Sequence, residues 1–164
     1  MSEKPPSPIR QTDDEARQLT RTLISSARFG ALGVIDRESS APMVSRIAVG
    51  HDNAGTPITL ISDLSHHTKA LRSKPVASLL LGEPGGKGDP LTHPRITLQV
   101  RARFIPRPSD AHQSLRETYL QQHPKAKLYI DFADFNLVML QVTSAFLNGG
   151  FGKAFQLGPE DICG

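Results

Sequence analysis

Apolar positions recur along the chain in two periods. Between residues 13 and 27, Ala16, Leu19, Thr20, Leu23, Ile24 and Ala27 fall at helical spacing, with Asp13 or Asp14 placed to cap the first turn. Arg17 and Arg21 lie off that stripe and stay wet. A second long helix is predicted over 108–124, capped by Ser109 or Asp110, and a short one within "SDLSHHTKALR", ending before Pro75. The strand period of two marks "RFGALGVID", "MVSRIAVGH", "PITLIS", "RITLQVRARFI" and "FNLVMLQVTSAFLNGGFG". "DNAG" joins the second strand to the third as a hairpin, and Gly30 and Gly33 leave room for a close approach. "VASLLLGE" is a continuous apolar run, which predicts burial on both faces, one of them against a second subunit.

Many antiparallel strands with few helices predict a mainly β (α+β) protein, a small barrel rather than a doubly wound sheet. The 164 residues, 38% of them hydrophobic, suffice for one packed domain. It is expected over 13–158, after a polar, proline-rich, flexible arm (1–12) and before a short tail (159–164). Nineteen Lys and Arg against sixteen Asp and Glu leave +3. That balance permits anionic partners, but no basic cluster with interleaved aromatics points to nucleic acid. The single cysteine, Cys163, excludes an intrachain disulfide, and a cytoplasmic location is the simplest expectation. No segment approaches ~18 continuous apolar residues, so no membrane span is expected.

The stretch from Ser62 to Arg72 concentrates the candidate chemistry. His66 and His67 are adjacent, hence about 100° apart on a helix, and lack any HExxH, CxxC or carboxylate at ligand spacing. No metal site is expected. An anion cradle suits the residues better: free N–H groups of a first helical turn, the Thr68 hydroxyl, the Lys69 charge, and Arg72 one turn on. Arg46 shares the parity of Val44 and Ala48 in an otherwise apolar strand, so it points either into a cleft or to an edge where its head reaches water. "GEPGGKGDP" lacks the GKS or GKT ending of a phosphate loop and reads as a mobile loop beside a site. "NGGFG" is either a tight turn or a place where backbone meets a flat ligand. No catalytic residue is assigned.

From Ala41 to Glu83 the chain resembles the core of the pyridoxamine 5′-phosphate oxidase-like FMN-binding split barrels: an Arg-Ile strand, a hairpin, a strand ending in Ser, a Lys-bearing helix start, then "PVASLL". "GKGDPLTHPRITLQVRA", "HPKAKLYIDFADF" and "LNGGFGKA" resemble the haem-utilisation, HugZ-like branch of that superfamily. The resemblance implies a Greek-key split barrel with flanking helices, a homodimer, and FMN as cofactor. It implies that Arg46 and Lys69 hold the FMN phosphate, with Ser62, His67 and Thr68 as polar partners. Ile47, Ala48 and Val49 would run beside the flavin ring, and Gln99 would complete the site from the neighbouring subunit. His51 stands where the family has a second lysine, which argues against pyridoxamine phosphate as substrate. The expected function is an FMN-dependent oxidoreductase of a small molecule; the alternative is haem binding or degradation, with propionates on Arg101 or Lys153. No histidine follows His123 to serve as a haem ligand in the manner of those relatives.

Overall fold

The computed structural model describes residues 7–163. Helix α1 (Asp14–Ser26) starts where Asp13 accepts from the Ala16 N–H at 2.8 Å. Strand β1 (Ile9–Arg10) precedes it, followed by β2 (Phe29–Ile35), β3 (Pro42–Ala48), β4 (Gly50–His51) and β5 (Pro57–Ser62). Helix α2 (His66–Ser73), β6 (Val76–Leu81), β7 (Arg95–Phe104) and helix α3 (Asp110–Gln122) come next, then β8 (Phe135–Asn148) and β9 (Ala154–Leu157). Ser109 caps α3, accepting from the His112 N–H at 3.0 Å.

The strands form one sheet in the order β1-β9-β8-β7-β6-β2-β3. β8 also pairs antiparallel with β5, and β5 with β4. Only Val49 separates β3 from β4, so the chain leaves β2 and joins β5 within one residue. The circuit β2-β3/β4-β5-β8-β7-β6 therefore closes on itself, which is the expected barrel. Side chains alternate across it. Leu32, Val34, Leu79, Leu81, Ile96, Leu98, Val138 and Leu140 fill the interior, with α1 packed on the same cluster through Ala16 and Ile24. A second cluster lies outside β5 and β8, where Tyr119 of α3 and Ile130 cover Ile58, Leu60 and Leu137.

Three expectations change. β5, not β6, is the strand covered on both faces: five of its six residues are buried. β6 buries Leu79 and Leu81 but leaves Val76 39% and Leu80 43% exposed, because no element among the described residues lies over its outer face. The glycine turn after β8 does not end the sheet; β9 follows it and pairs back. Within the expected arm, Ile9 and Arg10 pair in parallel with β9, and within the expected tail Ile162 is buried. Residues 1–6 of that arm, and Gly164, lie outside the described residues. Gly30 is needed because a methyl group there would sit 2.9 Å from the Leu80 carbonyl oxygen. The close approach it permits is that of β6.

Candidate functional site

The uncovered outer face is built by alternation. On β2 it carries Phe29, Ala31 and Gly33; β3 adds Val44 and Arg46; β6 adds Val76, Ser78 and Leu80. β7 contributes Arg95, Thr97, Gln99 and Arg101, and Phe146 of β8 lies opposite Thr97. Val44 is 69% exposed and Phe146 41%. A contiguous apolar surface of this kind on a sheet marks a binding or assembly face.

An open cavity of about 540 Å³ indents that face, lined by Gly33, Val76, Ser78, Gln99, Arg101 and Thr143 among others. The β7–β8 register slips here: Gln99 pairs with Ser144 and Val100 with Val142, leaving Thr143 as the extra residue of a bulge. The Thr143 hydroxyl donates to the Gln99 carbonyl at 3.1 Å, and the Ser144 hydroxyl to Gln99 Oε1 at 2.6 Å. Gln99 is thereby fixed in place. Arg101 is exposed beside it and makes no ion pair among the described residues.

The expected phosphate residues are spread over more than one cavity. Arg46 lines a second cavity, about 450 Å³, with its guanidinium 5.3 Å from the Phe29 ring centre. Arg95 and Leu91 line the same cavity. Lys69 lines a third, with Asp36, Arg37, Glu38, Met43 and His66, on the side of β3 opposite Arg46. The His67 ring, held neutral more strongly than a free imidazole by burial and by His66, meets the Ser45 hydroxyl at 3.0 Å and ties α2 to β3. Ser62 donates to Asp134 at 2.6 Å and accepts from the Leu64 N–H. Thr68 is fully buried, its hydroxyl without a partner among the described residues. Ile47 and Val49 are core residues, and the Ala48 carbonyl accepts from Thr59 at 2.6 Å. Gln99 alone of the expected set lines the cavity beside Arg101.

Arg101 was expected only under the haem alternative, as a propionate partner, and the Thr143 bulge was not expected at all. Arg101 was legible as an outward cation by its parity with Gln99; the bulge had no signal in the sequence. Among the described residues no three His, Cys, Asp or Glu side chains gather as a metal site, and no helix is long and apolar enough to cross a membrane.

The family model of the CREG β-barrel matches residues 11–162. The chain belongs to the CREG β-barrel family. The chain is similar to the non-canonical heme oxygenase HOZ, chloroplastic, of Arabidopsis thaliana: 32% identical over 141 residues, covering 79% of this chain and 42% of that protein. A solved heme binding protein from Mycobacterium smegmatis is 28% identical and superposes with a TM-score of 0.82, covering 94% of this chain and 61% of that one. The CREG-type chain thus spans less than two thirds of either relative. A member of the pyridoxinephosphate oxidase family from Clostridium acetobutylicum superposes with a TM-score of 0.69 at 12% identity, over 92% of this chain and 99% of that one. That likeness concerns the fold alone, and with it the split-barrel expectation holds.

Proposed function

We propose that this CREG-barrel protein binds haem on the outer sheet face and, supplied with a reductant, degrades it. This was the alternative expected from the sequence, and the two most informative relatives favour it over the flavin reading. The observation that carries it is the cavity beside Arg101: a flat, open, largely apolar wall with one unpaired cation. Such a wall suits a planar apolar ring bearing carboxylates, with Arg101 holding a propionate in a charge-assisted, bidentate contact. Gln99, fixed by Ser144 and by its own carbonyl bond, adds an amide to the rim. No imidazole lines this cavity, so the apolar face and the carboxylate contact would hold the ligand without histidine from this surface. Haem is here the substrate; oxidative opening of its ring consumes dioxygen and electrons from an external donor. A cavity walled on one side is incomplete, and a second copy of the chain, packed on Val44, Leu80 and Phe146, would close it.

A second reading, an FMN-dependent oxidoreductase, rests on the fold and on Arg46 and Lys69, neither of which has an ion-pair partner among the described residues. Titration of the purified protein with haemin tests the first. A saturable shift of the Soret band is expected, followed by its loss under ascorbate in air. Arg101→Ala should weaken haemin binding by roughly 10- to 100-fold, the equivalent of one charged hydrogen bond. An unchanged haemin spectrum sinks the haem reading. A stoichiometric flavin spectrum, with Arg46→Ala weakening FMN far more than riboflavin, would put the second in its place.

A further inference from the structure

The segment between β6 and β7 is held by one imidazole. His93 Nδ1 lies 2.9 Å from the backbone nitrogen of Gly85, and Nε2 lies 2.7 Å from the carbonyl oxygen of Lys87. The partners fix the tautomer. An amide N–H can only donate, so Nδ1 must accept; a carbonyl can only accept, so Nε2 must carry the proton. Both ring nitrogens are thus spent, in the neutral form, on folding the loop back on itself. The fit is close, since a methyl group on Gly85 would sit 3.1 Å from His93 Cε1. Gly82 and Gly88, at φ +103° and +77°, supply the left-handed backbone the fold-back needs. Six residues of the loop and its ends, Gly82, Glu83, Pro84, Pro90, Leu91 and Arg95, wall the cavity that contains Arg46.

We propose that His93 is a proton-operated staple: neutral, it pins this loop as the wall of the Arg46 cavity; protonated, it releases the loop and opens the cavity. A second proton must go on Nδ1, where it meets the Gly85 N–H head-on. The bond is then lost, and a donor faces a donor. Asp89 already accepts from the Leu91 N–H, and Arg95 donates to the carbonyls of Leu91 and His93. The remaining charged groups on the packed elements are Glu83 and Lys87 of the loop, Arg46 of β3 across the cavity, and Lys153 of the turn whose Gly150 lies beside the Thr92 carbonyl. The inference rests on the loop geometry alone and stands whichever ligand the sheet face takes.

A nitroxide label reports it. Gly86 has negative or extended φ and nothing within 4 Å of a Cβ, so Gly86→Cys in a Cys163→Ser background accepts a label without strain. A control label at Gln121→Cys, on the exposed side of α3, reports general loosening. Between pH 7.5 and 5.5 the label at 86 should shift reversibly from an immobilised to a mobile line shape, while that at 121 does not change. In His93→Ala the label at 86 should be mobile at both values. An unchanged line shape at 86, a matching change at 121, or the same pH response without His93 would each overturn the proposal.

Discussion

At the scale of single residues, the groups with displaced titration are few, and their signs can be worked through. Asp131 is drawn below the ordinary carboxylate range by its hydrogen bond to Arg116, and Asp161 by its bond to Arg17. Their contributions are complete above about pH 4 and are lost as pH falls through the lowered values. His112, 8% exposed on α3, is lowered instead, first by burial and then by Arg107 and Arg116. His67 moves the same way. The unfolded chain therefore takes up these protons first. The stabilisation is full above about pH 6.5 and declines as pH falls through that value toward the lowered one. The urea midpoint should drop between pH 7.5 and 5.5, and His112→Gln should shrink that drop; an equal drop in the variant would show that His112 is not responsible. The candidate site is also decided at this scale. The residue types were legible, since Arg46, Lys69, Thr68 and Gln99 could all be picked out by kind. Their commitments were not. Ser62 is taken by Asp134, 72 positions away, and nothing local to Ser62 announces that bond.

At the scale of elements, periodicity placed each helix, and both capped N-termini fell where expected, at Asp13 and Ser109. Periodicity could not say which apolar strand is covered twice. The continuous apolar run of β6 pointed to double burial more strongly than the alternation of β5, yet α3 packs outside β5 and no described element lies outside β6. β9 was missed because four residues after a glycine turn carry too short an alternation. The division of Arg46 and Lys69 between cavities follows from the two faces of β3, which alternation predicts once the strand's place in the sheet is known. Within the β6–β7 loop the glycines are not equivalent. At Gly82 a methyl group would meet the Pro94 carbonyl at 2.6 Å in left-handed backbone, so Gly82→Ala should destabilise by about 1–3 kcal/mol. Gly86→Ala, in open space, should be neutral or slightly stabilising. Equal midpoints in urea for the two variants would refute the loop geometry.

At the scale of the molecule, the proposed dimer rests on the outer sheet face. Phe29, Val44, Val76, Leu80 and Phe146 are all exposed on it in a single chain. An obligate dimer of the proposed kind would bury more than about 2,000 Å². Leu80→Asp places a charge at the centre of that surface while leaving the barrel interior untouched. Sedimentation should give a dimer for the unaltered protein and a folded monomer for the variant, with haemin binding weakened in parallel. A folded, monomeric parent protein at micromolar concentration would remove the second copy from the site.

The barrel's closure through β8 also bears on how the chain is made. β8 is the strand that bonds β5, β7 and β9, and it begins only at Phe135. During synthesis, β2, β3, β6 and β7 emerge and can pair with one another long before their circuit can close. For that interval β5 and β7 present unbonded edges and an apolar surface that nothing yet covers. The nascent chain is thus most exposed to mispairing and to capture by chaperones just before β8 appears. A ribosome stalled ahead of Phe135 would carry an open sheet, and one stalled beyond Asn148 with β8 clear of the tunnel could carry a closed barrel.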